Sequence, residues 1–235
     1  MCSPHFESLP LMNLRTACWA LLFLSFHTDW KAKAKAEVDA LIDKHTTNSS
    51  SEPFHKRLAA IHITAWEDEM PILELVIRET LRLSANGTSL RRNVSEDLSF
   101  AGGIVKRGDF VAYSVADVHS NPEIYSRPRE FDPDRFGEGR EEDKKGTFSY
   151  LGWGAGTFSI CCLKFMSPKD FAFCTVGRHP CTGMKVAKLE IKIILAFMLA
   201  SFEFDVVDKF GKRPKGLPKP DANDIQQVKI FYYLR

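Results

Sequence analysis

Cys181 stands three residues before an apolar run that reads as a helix, so its thiolate would be favoured by unpaired backbone N–H groups and the helix dipole. Such a thiolate suits binding to a metal, and Gly183 would let the backbone pass close to a flat ligand. The bland alternative is a small buried hydrophobe. A second set is Glu79-Thr80-Leu81-Arg82, a carboxylate and a guanidinium three positions apart on one helix face. Taken alone, such a pair describes a solvated surface bridge. A third is Arg135, set between aromatics in FDPDRF (131–136). A buried Glu79 shared by Arg82 and Arg135 would lock that loop to the helix. Cys161, Cys162, Cys174 and Cys181 with His179 also supply enough ligands for zinc, but no C-x-x-C knuckle preorganises them.

These groups need elements to hold them. Helical patterns run from Thr16 to about Phe26, from Asp29 to Lys44 and from Trp66 to Leu83. The third has Asp68 and Glu69 near its start, and the second sets Val38, Leu41 and Ile42 opposite a lysine-rich face. Alternation in SLRRNV and in LSFAGGIVKRGDFVAYSV, with turns at Gly102-Gly103 and Arg107-Gly108-Asp109, predicts short antiparallel strands. His119 to Asp143 reads as an ordered meandering loop. A long, largely buried helix follows Gly183, with Val186, Leu189, Ile193, Phe197 and Leu199 as its apolar stripe. VKIFYYLR closes the chain as a strand. The fold class is α+β, helix-rich, with a small antiparallel sheet.

With 44% hydrophobic and 26% charged residues in 235, the chain can bury a core as one large domain or two small ones. Its 32 basic and 30 acidic residues balance, which argues against nucleic-acid binding by bulk charge. The six cysteines lack the spacing of a disulfide framework, which favours a reducing compartment. Ala17–Phe26 is too short to span a bilayer, where roughly 20 residues are needed. The sequon at Asn48 would then carry no glycan, and Lys31, Lys33 and Lys35 form a basic face that is either solvated or a docking surface.

In this order, the E-x-x-R helix at Glu79–Arg82, the P-x-R-F loop at Pro133–Phe136 and the cysteine loop ending at Cys181 resemble the C-terminal half of the haem-thiolate monooxygenases, the cytochrome P-450 family. WGAG with HPCTG looks most like fungal members related to sterol 14-alpha-demethylases. The resemblance covers residues 16–235, leaving 1–15 as an atypical N-terminus. It implies haem b with Cys181 as axial iron ligand, His179 and Arg92 as propionate contacts, Gly183 beside the haem, and Glu79, Arg82 and Arg135 as a structural triad. It also implies molecular oxygen as co-substrate, an NADPH-dependent reductase as partner and a small apolar substrate, sterol or lipid-like. The family's location is the cytosolic face of the endoplasmic reticulum membrane; this chain shows no anchor, which leaves a cytoplasmic location open.

Two departures qualify the resemblance. The family loop has seven positions from aromatic to cysteine, whereas Trp153 and Cys181 are 28 apart, an excess of 21. Removing Thr157–Gly177 leaves LGWGAGRHPCTGMK, which fits without a gap, so 157–177 reads as an insertion or a retained intron; Gly156-Thr157 can be encoded by codons containing a GT donor and Val176-Gly177 by codons containing an AG acceptor in the same phase. The second departure is the oxygen-activating helix, where Leu11, Met12, Asn13 and Leu14 replace the expected acid-or-amide plus threonine pair, so no catalytic residue is assigned. Thr16 lies too close to Trp19 to take that role. The two functional expectations are a monooxygenase by ancestry and a noncatalytic truncated fragment that cannot close a haem and substrate pocket.

Overall fold

The computed structural model describes residues 8–46, 53–85, 88–100, 102–146, 148–154, 183–208, 210–217 and 233–234. The earliest helix, α1 (Ser8–Phe26), starts eight residues before the sequence pattern suggested. Ala17 and Trp19 through Leu24 are all buried, so this helix lies inside the core instead of presenting one face to it. It packs on α5 (Pro71–Ser84) and α7 (Met184–Ser201). The second helix, α2 (Thr28–His45), lies across α5 and α7 and buries Trp30, Ala34, Val38, Leu41 and Ile42.

Where one helix was expected over Trp66–Leu83, two occur: α4 (Ile63–Asp68) and α5. Pro71 is the cause, since its ring disfavours a helical residue 70 and it has no N–H to continue the ladder; at the first position of α5 neither matters. Asp68 and Glu69 therefore sit at the C-terminal end of α4, the wrong pole for an acid. The buried Lys192 of α7 compensates there, donating to the carbonyls of Trp66 at 2.9 Å and Glu67 at 3.3 Å. Upstream lies α3 (Phe54–Ala60), which the sequence pattern missed.

Glu37 of α2 fixes the start of α5. Its carboxylate accepts the N–H groups of Ile72 at 2.6 Å and Leu73 at 2.9 Å, two donors that a helix N-terminus leaves unpaired. The lysine-rich face of α2 meets the opposite pole of α7: Lys31 donates to the Phe204 carbonyl at 2.7 Å and Lys35 to Leu199 at 3.3 Å. Lys33 lies over the Trp30 ring, 4.4 Å from its centre, so all three lysines of that face make contacts within the fold.

The strands form three antiparallel pairs among the described residues. β1 (Thr88–Arg92) pairs with β4 (Phe110–Ser114), placing Arg92 opposite Phe110. β2 (Leu98–Phe100) and β3 (Gly103–Val105) make the hairpin expected around Gly102, whose φ of +80° suits glycine. β5 (Val206–Val207) pairs with β6 (Tyr233–Leu234) from the final segment. α6 (Val115–His119), another element the sequence pattern missed, leads from β4 into a long loop held by short 3-10 turns at Pro133–Phe136 and Glu142–Lys144.

The buried face of α7 differs from the expected stripe. Ala187, Ile191, Lys192, Leu195, Ala196 and Leu199 are buried, while Val186 is 61% exposed and Ile193 and Phe197 are also at the surface. Apolar residues occupy more than half of this helix, so counting a 3.6 period from Val186 selects a face one residue away from the real one. Leu195→Ala is expected to lower stability by about 2–5 kcal/mol, and Val186→Ala by less than about 0.5 kcal/mol. Urea unfolding of the two variants measures both, and equal losses would contradict this assignment of faces.

Candidate functional site

Glu79 and Arg82 lie one turn apart on α5, and both point into the protein instead of toward water. Their pairing is bidentate: Arg82 Nε and Nη2 each donate to one Glu79 oxygen at 2.8 Å. Arg135, from the 3-10 turn at Pro133–Phe136, donates from Nε to Glu79 Oε1 at 3.0 Å, and the Asp132 N–H adds another bond at 3.0 Å. Glu79 and Arg135 are 0% exposed and Arg82 is 2% exposed, so this is a buried ionic set. Burial pushes the Glu79 carboxyl up, and the two guanidiniums with the Asp132 N–H pull against it.

The arginines spend their other donors on the loop. Arg82 Nη1 donates to the carbonyls of His119 and Pro128, both at 2.6 Å, and Nη2 to Glu130 at 3.3 Å. Arg135 Nη1 reaches the Ser126 carbonyl at 2.9 Å, and its Nη2 the Glu130 carbonyl at 3.2 Å. A segment without regular structure thereby has its backbone carbonyls satisfied by two side chains. Tyr125 lies under both guanidiniums, 4.9 Å from Arg82 and 5.8 Å from Arg135.

A fourth member escaped the sequence reading. Glu142 accepts from Arg135 Nη1 at 2.7 Å, from Ser126 Oγ at 2.6 Å and from Arg140 at 2.8 Å. Nothing in GREEDKKG marks it, because the run reads as an exposed charged loop. With Glu142 present, two carboxylates balance two guanidiniums in the interior. Burial raises the Glu142 carboxyl, but the bonds from Ser126, Arg140 and Arg135 outweigh it and hold the pKa down to about 2.

From this network the chain runs through Ser149, Tyr150 and Leu151 to Trp153, the aromatic ahead of the cysteine loop. Gly154 takes φ +83° and closes a turn with its N–H on the Leu151 carbonyl at 3.1 Å. Trp153 packs against the main core, and the Lys188 ammonium of α7 lies 5.9 Å from its ring centre. The two sides of the 155–182 stretch therefore meet at the first turns of α7. Gly183 precedes that helix with φ −86°, an angle any residue adopts, so backbone conformation does not demand glycine there. His179 and Cys181 lie outside the described residues, as do Thr157–Gly177 and the other cysteines of the zinc alternative. Among the described residues no group of three or more His, Cys, Asp or Glu side chains forms a metal site.

Arg92 stands apart from the triad. It is exposed on β1, donates to the Gly108 carbonyl at 3.2 Å and lies over Phe110. Thr16 and Trp19 are buried in α1, and Asn13 spends its side-chain amide on Glu190 of α7. No described helix is long and apolar enough to cross a membrane.

The family model for cytochrome P450 matches residues 14–159, more than half of the chain. The chain belongs to the cytochrome P450 family. It is 33% identical over 195 residues to cytochrome P450 monooxygenase AacuE of Aspergillus aculeatus, covering 82% of this chain and 34% of that protein. It is 36% identical over 148 residues to the obtusifoliol 14-alpha demethylase of Sorghum bicolor, covering 60% of this chain and 26% of the relative. Retinoic acid bound cyanobacterial CYP120A1 shares the fold with a TM-score of 0.59 at 22% identity, over 84% of this chain and 37% of that one. The chain thus spans about a third of the length of these relatives.

A thiolate-bound haem fits the described surroundings of α7. The first turn of that helix contains no acid to oppose an anion, and the indole N–H of Trp153 is buried with no partner among the described residues.

Two expectations follow for the ionic set. Glu79→Ala strands the buried Arg82 guanidinium and leaves Arg135 with Glu142 alone, and it is expected to cost about 3–5 kcal/mol in denaturant unfolding, where a loss below roughly 1 kcal/mol would mean a surface-like pair. Glu142 is held below its ordinary 4.5, so its stabilisation is complete above about 4.5 and is lost as pH falls toward about 2. The stability gap between the wild type and Glu142→Gln should therefore shrink over that acid window and stay flat from pH 5 to 8. Urea midpoints at each pH test this, and a constant gap down to pH 2 would contradict it.

Proposed function

We propose that this chain is the part of a haem-dependent monooxygenase that carries the haem-binding cysteine loop and the ionic scaffold behind it. The observation that supports the reading most is the buried Glu79–Arg82–Arg135 set, tied through residues 149–153 to the beginning of α7. In this reading Cys181 would hold the haem iron through its thiolate, and Arg92 and His179 would hold the haem carboxylates with charged or polar donors. Haem bound there would supply oxygen chemistry on an apolar substrate, its thiolate ligand donating electron density to the iron. The protein's own part is to hold that cysteine rigidly, exclude water with the α1–α5–α7 core and keep the loop backbone satisfied. A sterol or lipid-like substrate, an NADPH-dependent reductase and the cytosolic face of the endoplasmic reticulum membrane complete the proposal for the whole enzyme.

Residues 157–177 are an insertion or a retained intron in that loop, a reading supported by a family match that ends at residue 159. The insertion favours a second reading for the chain as it stands, a noncatalytic product of the family. Leu11-Met12-Asn13-Leu14 supports it too, since Asn13 is bonded to Glu190 and its neighbours have no acid or hydroxyl to deliver protons.

Haem reconstitution separates the readings. The chain as written is expected to take up no stoichiometric haem, while deleting Thr157–Gly177 within an otherwise complete parent protein should give a thiolate-type Soret band in the reduced, carbon-monoxide-bound state. Cys181→Ser in the deleted background should abolish that band. Its persistence would remove Cys181 as ligand, and a thiolate band from the undeleted chain would remove the claim that the insertion breaks the site.

A further inference from the structure

His119, the last residue of α6, is 1% exposed and bonded on both ring nitrogens. The Leu151 N–H points at Nε2 from 2.9 Å, so Nε2 is the bare nitrogen. Nδ1 must then carry the proton, and it donates to the Arg82 carbonyl at 3.1 Å. Arg82 returns a bond from its guanidinium to the His119 carbonyl. The ring stacks on Tyr150, with centroids 5.5 Å apart and planes at 25°, and meets Tyr125 edge-on. Each tyrosine fixes the same short segment: Tyr125 donates to the Ser149 carbonyl at 2.7 Å and Tyr150 to the Arg78 carbonyl at 3.2 Å. Three consecutive residues, Ser149 to Leu151, are thereby pinned to α5 and the network loop, with His119 at the junction.

We propose that His119 is a positioning residue: it carries the fixed geometry of the Glu79–Arg82–Arg135 set to Leu151 and so sets where the chain enters the loop that ends at Cys181. Only the last step rests on the reading of that loop as a haem site. Burial, with the Arg82 charge adding to it, pushes the imidazole down to about 3, consistent with a neutral ring of one tautomer. A ring that merely filled space would need neither the acceptor at Nε2 nor the donor at Nδ1. The two bonds can be removed one at a time, because a glutamine amide reaches the position of Nε2 and an asparagine amide that of Nδ1.

The experiment compares His119→Gln and His119→Asn in the full chain by hydrogen exchange with mass spectrometry. Asparagine keeps the donor to Arg82 but strands the Leu151 N–H, so exchange in peptides covering 149–154 should rise about tenfold or more, as the loss of a buried acceptor requires. Glutamine restores the acceptor and should hold exchange there near the wild-type rate, with α1 and α7 peptides unchanged in both. Equal exchange in the two variants overturns the proposal. Should either variant fail to fold, the 15N spectrum of the wild-type imidazole decides: a protonated Nδ1 and bare Nε2 support the latch, and the opposite tautomer overturns it. Neither measurement involves haem, so a missing thiolate band would count against the Cys181 assignment and leave the latch standing.

Discussion

The carboxylate of Glu79, held between two guanidiniums out of reach of water, is the constraint on which the rest of this structure depends. A lone ionised group in that position would cost several kcal/mol to desolvate, and its partners recover this only if every remaining donor also finds an acceptor. They do so on the loop from His119 to Glu130, whose carbonyls would otherwise lack partners for want of a sheet or helix. Glu142 completes the set by matching the second positive charge. The loop is ordered by electrostatics and hydrogen bonds, while the apolar contacts of Tyr125, Phe131 and Phe136 fill the space around it.

Such a scaffold works only if α5 is itself fixed, and the fold does this with charges placed at helix ends. Glu37 holds the two N–H groups that open α5, Lys192 caps α4, and Lys31 and Lys35 meet carbonyls where α7 ends. In each case the sign agrees with the helix dipole. The same logic favours negative charge at the beginning of α7, a helix that Cys181 precedes by three positions in the sequence. A lysine-rich helix face that reads from sequence as solvent-facing or as a docking surface is in part an internal cap.

The triad and most elements were legible in the sequence because their signals are local: a glutamate and arginine three apart, a Pro-x-Arg-Phe loop between aromatics, alternation bounded by glycines. What stayed hidden depended on long-range geometry. Glu142 lies in a charged run that only the position of Arg135 draws inward. His119 stands among ordinary loop residues, and its role follows from the approach of Leu151, which is 32 positions away. Pro71 was visible as a residue, yet the continuous apolar pattern on both sides masked the break it imposes. α7 is apolar nearly all round, so its period could not select the buried face. Cys181 and His179 rest on the motif alone, since they lie beyond the described residues.

The stability of this fold and the integrity of its cysteine loop are separate quantities. Trp153 and Lys188 bring the two sides of the 155–182 stretch together at α7, so whatever joins them closes a loop between anchored ends. Lengthening such a loop fourfold, from the family's seven positions to the 28 between Trp153 and Cys181, adds only about 1.2 kcal/mol of closure entropy. That is less than the expected cost of losing one buried carboxylate, so the helical core and ionic scaffold can persist whatever the length of the stretch that joins those ends. Selection for a folded product and selection for a bound haem would then act on different residues: the first on Glu79, Arg82, Arg135 and the α1–α5–α7 interface, the second on the few positions between Trp153 and Gly183.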